Sequence, residues 1–248
     1  MSKSVTWDIE KAWLNSGFAN AVNSFEKAFN NHEDRVSLGR QSQVFRYSTG
    51  SETYYIKQYF QALGFGAWFG LSRCQVEVRN LKWFAAIGIN CAPLVAHGIE
   101  KKWFRIQRGV LVTANVKNSK DLQEIAEQES LFSNRRWRQK IICQLADMTK
   151  QLHKRNFCHN DFQWRNILVT LDEDSPEIFL IDCPFGRRFR WPVLTYRKIK
   201  DLGSLDEQAK KHLSKTDRLR FYKHYRGINR LTDTDKKSIR TMLERYPG

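Results

Sequence analysis

Hydrophobic and polar positions change their period along the chain. Phe18, Val22, Phe25 and Phe29 recur at i, i+4, i+7 and i+11, which predicts one face of an N-terminal helix. The stretch that follows, RVSLGRQSQVFRYSTGSETYYIKQYF, holds two β-prone runs around the turn signal STGS and predicts a hairpin. Later β-prone runs, LVAHGIE and WFRIQRGVLVTANV, predict further strands. The first part of the chain is therefore expected to be rich in β-structure.

One helix is predicted between the hairpin and the later strands. Val76, Leu81 and Phe84 have helical spacing, and Gly88 is a suitable residue to end that helix. The preceding stretch, residues 61–72, mixes glycine with aromatic residues and has no clear period, so it predicts a loop. Its core, GFGAWFG, is a candidate for membrane contact or for packing beneath the β-rich part.

The second part of the chain is helical in pattern. Ile142, Leu145, Met148 and Leu152 make an apolar stripe, and helical spacing returns from about Tyr196 onward. Two short strands, ILVTL and EIFLI, are predicted between these helices, joined by the turn-like DEDSP. The expected fold is α+β, with an N-terminal helix and a β-rich lobe in residues 1–114 and a mainly helical lobe in residues 115–248.

Composition is that of an ordinary globular protein, but the charge is not. Of the 248 residues, 41% are hydrophobic and 27% are charged, with 42 Lys and Arg against 26 Asp and Glu, a net charge of +16. Such a surplus attracts nucleic acid, anionic membrane surfaces or phosphorylated substrates. The basic residues are dispersed along helices and include no recognised nucleic-acid module, which disfavours the first of these partners.

The cysteines and the N-terminus bear on the cellular compartment. The five cysteines form no C-x-x-C pair, which favours a reducing compartment over a disulfide framework or structural zinc. The first residues lack the apolar run of a signal peptide, and no stretch approaches the ~20 apolar residues of a membrane span. A soluble, cytoplasmic protein is expected.

Several polar residues in the β-rich part are candidates for phosphate chemistry. In SLGRQSQVF, Gly39, Ser42 and Val44 belong to a turn whose backbone N–H groups would approach phosphate oxygens, although a plain β-turn has the same signature. Lys57 follows on a predicted strand, and Glu77 lies twenty residues later on the predicted helix. A carboxylate there would orient the lysine toward an anion; each residue alone also suits an ordinary charged surface.

Three more candidates lie around the two short strands of the second part. Asp161 and Asn166, in HNDFQWRN, are five residues apart, and Asp182 ends the apolar run IFLID. A carboxylate at position 161 would accept a proton from a hydroxyl, and the amide and carboxylate oxygens at 166 and 182 suit magnesium. Taken singly, each is also explained as a loop or turn residue.

Taken together, these elements resemble the protein-kinase-like fold. The pattern H-x-D-x-x-x-x-N, an apolar strand, a turn and a second strand ending in Asp follows a strand Lys and a helix Glu. The resemblance implies roles for Lys57 and Asp161 in catalysis, for Asn166 and Asp182 in magnesium binding, and for His159 and Asp201 in supporting the loop. It also implies ATP as the phosphate donor, bound by Gly39, Ser42, Val44, Lys57, Glu77, Thr113 and Asn115.

The departures from that pattern reduce the number of possible phosphate acceptors. Asp182 is followed by Cys183 and Pro184, an A-P-E element is missing, and Gln163 replaces a lysine common in protein kinases. These features disfavour a protein kinase. The stretches HNDFQWRNILV, FLIDCPFGRR and KDLGSLDEQAKKHLSKTDRLRFYKHYRG resemble the bacterial lipopolysaccharide core kinases, which phosphorylate heptose or Kdo.

Membership of that group implies an acidic glycolipid as acceptor and allows peripheral contact with the inner membrane. The implied acceptor residues are Gln163, Arg165, Arg187, Arg188 and Arg190, and the neighbouring Trp164 and Trp191 suit either stacking on a sugar or packing in a core. Two alternatives stay open at this stage. An aminoglycoside- or choline-type kinase shares the fold, and a catalytically silent kinase-like binding protein shares the sequence pattern.

Overall fold

The computed structural model of the chain describes residues 3–60, 72–102 and 105–245. The chain forms two compact units. The first comprises residues 1–87 and 92–116, and the second comprises residues 88–91 and 117–248. The stretch GFGAWFG, a candidate for membrane contact, lies outside the described residues. No helix among the described residues is long and apolar enough to cross a bilayer.

The first unit is built on a six-stranded antiparallel sheet. Its strands are β1 Lys3–Ile9, β2 Asp34–Leu38, β3 Ser42–Thr49, β4 Glu52–Phe60, β5 Leu94–Lys102 and β6 Arg105–Ala114. They are ordered β1-β5-β6-β4-β3-β2 in the sheet. One of the two central strands, β4, buries Tyr54 and Ile56 on alternate positions, as a strand with one face on a core requires.

The single N-terminal helix expected from Phe18 to Phe29 is wrong. Two short helices, α1 (Gly17–Ala21) and α2 (Phe25–Phe29), take its place, because the Ser24 hydroxyl accepts a hydrogen bond from the Lys27 N–H and begins a new helix. The four apolar residues that carried the pattern are nevertheless buried together, in one core with Tyr54 and Ile56.

Strand β1, which precedes these helices, was missed. Val5, Trp7 and Ile9 alternate with polar residues, which is the strand period, but only three apolar positions carry it. β1 is an edge strand paired with β5, and most of its residues are exposed.

The helix predicted before the later strands is confirmed as α3 (Arg73–Ala86). It begins with a capping box, in which the Ser72 hydroxyl accepts from the Gln75 N–H and the Gln75 side chain accepts from the Ser72 N–H. Gly88 follows its C-terminus with φ of 72°, a conformation that glycine adopts without strain.

The second unit is mainly helical. Its elements are β7 Ser119–Asp121, α4 Leu122–Gln128, α5 Arg135–Lys154, β8 Phe157–Cys158, β9 Ile167–Thr170, β10 Ile178–Leu180, β11 Arg187–Arg188, α6 Val193–His212, α7 Lys215–Arg226 and α8 Asp233–Arg245. The strands form two small sheets, ordered β10-β9-β7 and β11-β8. The predicted stripe on α5 is confirmed, since Ile142, Leu145, Met148 and Leu152 are all buried. Both predicted short strands are confirmed as β9 and β10.

Candidate active site

Lys57 and Glu77 form a buried ion pair in the first unit. The Lys57 ammonium lies 3.0 Å and 3.3 Å from the two carboxylate oxygens of Glu77. The Tyr59 hydroxyl donates a hydrogen bond to the same carboxylate, and the ammonium lies 5.3 Å from the centre of the Tyr59 ring. Strand β4 supplies Lys57 and helix α3 supplies Glu77, and their contact fixes the direction of the Lys57 ammonium group. An ammonium group held in this way is suited to binding an anion.

The other residues predicted to bind nucleotide lie on the same sheet. Gly39 is in the turn between β2 and β3, where its N–H donates to the Ser42 carbonyl at 2.8 Å. A Cβ at Gly39 would lie 3.3 Å from that carbonyl oxygen, so the turn leaves little room for a side chain. Val44 on β3 is paired directly with Lys57. Thr113 lies on β6, and the Asn115 N–H donates to the Thr53 carbonyl at 2.9 Å.

In the second unit, Asp161 and Asn166 are joined by hydrogen bonds within the 159–166 loop. The Asn166 amide donates to the backbone carbonyl of Asp161 at 2.9 Å and to its carboxylate at 3.2 Å. Asn166 is buried, whereas Asp161 is partly exposed. The loop therefore holds the Asp161 carboxylate in place while leaving it accessible to a reactant.

Asp182 is brought to this loop by strand pairing. β9 and β10 are antiparallel, and just beyond their paired residues the Ile181 N–H donates to the Asn166 carbonyl at 3.1 Å. Asp182, the next residue, has φ of 54°, a left-handed conformation that is uncommon for a residue other than glycine. This backbone conformation turns the chain at Asp182, directly after the segment that is bonded to the loop.

The donor set of these residues fits magnesium. The Asn166 amide nitrogen is used within the loop, so its amide oxygen is the atom left for a ligand, and Asp182 supplies carboxylate oxygens. Magnesium prefers such oxygen ligands and completes its coordination with water and substrate phosphates. Sulfur or imidazole ligands, which would favour zinc or another transition metal, are not part of this set.

Asp201 fastens the start of the same loop. One of its carboxylate oxygens accepts from the His159 N–H at 2.7 Å, and the other accepts from the Asn160 N–H at 2.9 Å. Asp201 is 1% exposed on helix α6. A buried carboxylate that accepts from two backbone N–H groups fixes the loop strongly, because hydrogen bonds to a charged acceptor are stronger than those between neutral groups.

His159 packs within the loop as a neutral ring. It is completely buried, it stacks on Phe162 with ring centres 5.1 Å apart, and neither ring nitrogen has a hydrogen-bond partner among the described residues. Burial lowers the pKa of the imidazole, and the nearby carboxylates of Asp201, Asp161 and Asp182 only partly oppose that shift. His159 therefore braces the loop by packing, and its side chain does not reach outward as an acid or base.

Two contacts that sequence reasoning missed extend this support. His153 on α5 lies 3.3 Å from the Asp201 carboxylate and 2.9 Å from the Tyr225 hydroxyl on α7. Cys158 lies in the same buried cluster, and burial raises the pKa of its thiol to about 12, so the thiol stays protonated. The cluster joins three helices to the loop. Isolated His and Tyr residues on predicted helices carry no signal of this role.

Sequence reasoning also missed Asn160, although its residue type is compatible with a sharp turn. Its φ is 66°, and asparagine is one of the few residues enriched in that left-handed conformation. Its amide donates to the Phe185 carbonyl at 2.8 Å, and its side-chain oxygen accepts from Arg197 at 3.3 Å. Asn160 therefore ties the loop beside Asp161 to the segment that follows Asp182.

The predicted acceptor residues lie in the same unit with different degrees of exposure. Gln163 is partly buried, and its N–H donates to the Asp161 carbonyl at 3.0 Å. The four arginines are exposed: Arg165, Arg187, Arg188 and Arg190. The two tryptophans separate clearly. Trp164 is 3% exposed and stacks on His212, which excludes it from sugar stacking, whereas Trp191 is 82% exposed.

Comparisons with known proteins identify the family to which the chain belongs. A solved structure, WaaP in complex with acyl carrier protein, superposes with a TM-score of 0.75 over 98% of each chain. At 16% identity that likeness shows the protein-kinase-like fold expected from the sequence pattern.

A curated relative, 3-deoxy-D-manno-octulosonic acid kinase of Actinobacillus succinogenes, is 28% identical over 111 residues. The match spans 45% of this chain and 44% of that enzyme. The model of the lipopolysaccharide kinase (Kdo/WaaP) family matches residues 26–225, a range that includes the candidate residues of both units. The chain belongs to the lipopolysaccharide kinase (Kdo/WaaP) family.

Proposed function

We propose that the protein transfers the γ-phosphate of ATP to a hydroxyl group of a lipopolysaccharide inner-core sugar, either heptose or Kdo. The observation that carries the proposal is the 159–166 loop, in which Asn166 holds the Asp161 carboxylate and Asp201 holds the backbone on the other side. Family membership and the 28% identity to a Kdo kinase support the choice of a sugar acceptor.

Asp161 acts on the acceptor in this proposal. Its carboxylate accepts a hydrogen bond from the sugar hydroxyl, orients the oxygen toward the γ-phosphate and takes its proton as the new P–O bond forms and the bond from the γ-phosphorus to the ADP oxygen breaks. The Asn166 amide group keeps the carboxylate in that orientation. Gln163 and the exposed arginines of the same unit bind polar and anionic groups of the acceptor.

Lys57 acts on the donor. Held by Glu77, its ammonium contacts the α- and β-phosphates of ATP, while the backbone of the Gly39 turn covers the phosphates and the 113–115 segment receives the base. Asn166 and Asp182 would hold magnesium, and the bound ion would neutralise negative charge on the phosphates.

The proposal implies a cytoplasmic location, where ATP is available, and contact with the cytoplasmic face of the inner membrane, where a lipid-linked acceptor would be anchored. The strongly basic balance of the chain supports that contact, because anionic lipids attract cationic protein surfaces. It also argues against an acceptor that is itself a cation, as aminoglycosides and choline are.

Phosphate transfer to lipid-linked Kdo and heptose acceptors, with choline and an aminoglycoside as rivals, tests the proposal. We expect transfer to one of the two core sugars, and we expect Asp161→Asn to lower kcat by about 10²–10⁴-fold while ATP still raises the melting temperature. Asp174→Asn, an exposed turn residue of the same unit, is the matched control and should keep full activity.

Different results would separate the alternatives. Transfer to choline or the aminoglycoside in preference to both core sugars would establish a small-molecule kinase. ATP binding without transfer to any of the four acceptors would indicate a silent binding protein. Near-normal turnover by Asp161→Asn would remove Asp161 from the mechanism.

A further inference from the structure

Residues 185–196, which join the magnesium-site Asp182 to helix α6, expose an unusual share of the large apolar side chains. Phe185, Trp191, Val193 and Tyr196 are 43%, 82%, 48% and 48% exposed, and they account for four of the eleven exposed large apolar residues described. A group of such side chains within twelve residues marks an interaction surface more often than a single exposed side chain does. We refer to it as the 185–196 surface.

Contacts within the segment and helix α6 make this surface continuous. The Arg187 guanidinium lies 5.0 Å from the centre of the Phe189 ring, and the Arg197 guanidinium lies 5.2 Å from the same ring. Arg197 also lies 5.7 Å from the ring of Tyr196. Val193 and Tyr196 are three residues apart in the first turn of α6, so their side chains lie on the same side of the helix.

All the charged residues in and beside this surface are basic. Between Asp182 and Asp201 the chain contains six Lys and Arg residues and no Asp or Glu: Arg187, Arg188, Arg190, Arg197, Lys198 and Lys200. Among the described residues, Arg187 and Arg190 have no carboxylate within ion-pair distance. Exposed guanidinium groups beside exposed Trp and Tyr side chains match the two layers of a membrane interface, its anionic headgroups and its shallow apolar zone.

The surface is fastened to the 159–166 loop. Asn160, the neighbour of Asp161, donates its amide to the Phe185 carbonyl and accepts a hydrogen bond from Arg197. The distance from this surface to the candidate base is therefore set by hydrogen bonds within one unit. A lipid-linked sugar extends only a short way from the bilayer, so an enzyme acting on it gains from a docking surface beside its catalytic loop.

We propose that the 185–196 surface docks the protein on an anionic lipid bilayer, with Trp191 and Val193 entering the interface and Arg187 and Arg190 contacting lipid phosphates. The reason for docking rests on the proposed function, but the binding itself does not. It requires neither ATP nor an acceptor sugar. Charge complementarity selects an anionic bilayer over a neutral one.

Vesicle co-sedimentation of the full chain, without nucleotide or acceptor, tests the proposal. The probes are vesicles of phosphatidylcholine alone and of phosphatidylcholine mixed with phosphatidylglycerol. We expect binding to the mixed vesicles and little to the neutral ones, with a loss at high salt. Trp191→Ser combined with Val193→Ser should weaken binding by about tenfold, since both side chains lose apolar burial. Leu14→Ser, at an exposed site in the first unit, should leave binding unchanged.

The charge component has its own matched pair of variants. Arg187→Gln combined with Arg190→Gln should weaken binding to the mixed vesicles by roughly thirtyfold, because each basic residue near an anionic leaflet contributes about fivefold. Arg230→Gln combined with Arg240→Gln removes the same charge from exposed positions outside the surface and should have a much smaller effect. Equal losses from the two pairs would overturn the assignment to this surface, because they would point to net charge alone.

Insertion of Trp191 is measured separately, with a variant that keeps an aromatic ring. Lipids brominated along the acyl chain should quench part of the tryptophan fluorescence of the native chain, and Trp191→Phe should bind similarly but lose that part. Unaltered quenching in Trp191→Phe would overturn the insertion of Trp191. Retention on heparin or polyglutamate without vesicle binding would overturn the lipid proposal in favour of an acidic macromolecule. A chain that phosphorylates a core sugar but binds no vesicle would overturn the docking proposal and leave the kinase proposal standing.

Discussion

The carboxylate of Asp201 accepts two backbone N–H groups of the 159–166 loop, one on each oxygen. The two N–H groups belong to His159 and Asn160, the two residues that precede Asp161. His153 approaches the same carboxylate from α5, so three elements meet at one buried charge. At the scale of single residues, the geometry of the candidate base is set by a residue that does not touch the reactants.

Asp201→Asn tests this arrangement. The amide keeps the size of the side chain but offers only one oxygen to two N–H donors, so the loop should shift and kcat should fall by up to about 100-fold. The KM for ATP should change little, because the nucleotide-binding residues belong to the other unit. Asp206→Asn is the matched control on the same helix. Asp206 pairs with Arg218 at 2.7 Å, so its loss should lower stability without lowering kcat. Equal kcat losses in both variants would contradict a positioning role for Asp201.

His159 adds a pH dependence at the same scale. Burial lowers its pKa below the ordinary value near 6.5, so on acidification the unfolded chain takes up a proton that the folded chain refuses. The free energy of unfolding should therefore fall as pH decreases below about 6.5. His159→Phe should reduce that slope in urea titrations at several pH values. Some slope should remain, because burial also lowers the pKa of His97. An unchanged slope in His159→Phe would contradict this account.

Helix α8 shows how one side chain starts and anchors an element. The Asp235 carboxylate accepts from the Thr232 N–H at 3.0 Å and from its hydroxyl at 2.6 Å, while the Asp235 N–H donates to that hydroxyl at 3.2 Å. Tyr222 and Arg226 of α7 donate to the other carboxylate oxygen. These donors hold the pKa of Asp235 well below its usual range. The sequence T-D-T-D therefore caps α8 and joins it to α7 at the same point.

At the element scale, Asp235→Asn should destabilise the fold by about 1–3 kcal/mol, since a buried acceptor of several hydrogen bonds becomes partly a donor. Asp233→Asn, two residues earlier, is the matched control. It changes a 97% exposed side chain that forms an exposed ion pair with Lys236 and should cost less than about 0.5 kcal/mol. The stabilisation by Asp235 is present above its unfolded pKa and is lost as pH falls through the acid range. Urea unfolding curves of the two variants would contradict this account if they coincided near neutral pH.

At the scale of the whole molecule, ATP and magnesium should act as stabilising ligands. A ligand that binds only the folded chain adds about 2.7 kcal/mol of stability at 100 times its Kd, which raises Tm by several degrees in a chain of this size. We expect a larger shift with ATP and magnesium together than with ATP alone. Asp182→Asn should remove the difference, whereas Asp174→Asn should preserve it. A magnesium effect that survives in Asp182→Asn would exclude Asp182 as a ligand of the ion.

Many of the secondary-structure elements of this protein could be predicted from local sequence pattern. Period and capping residues predicted α3, the stripe of α5, the hairpin and both short strands, because those signals depend on neighbours within a few residues. Spacing, together with the resemblance to the protein-kinase-like pattern, selected Lys57 with Glu77 and Asp161 with Asn166. The structure places each of these pairs within hydrogen-bond distance, and their catalytic roles stay predictions.

Other features depended on tertiary structure. The edge strand β1 follows from pairing with β5, whose residues lie far along the chain. The burial of Trp164, the exposure of Trp191 and the contacts of Asn160 and His153 are likewise set by residues distant in sequence. Local pattern was sufficient for most of the helices, most of the strands and the set of chemically reactive side chains, since these depend on residues close together in the chain. Only the fold decided which side chains brace the loop and which face outward, because burial is a property of the whole packed chain.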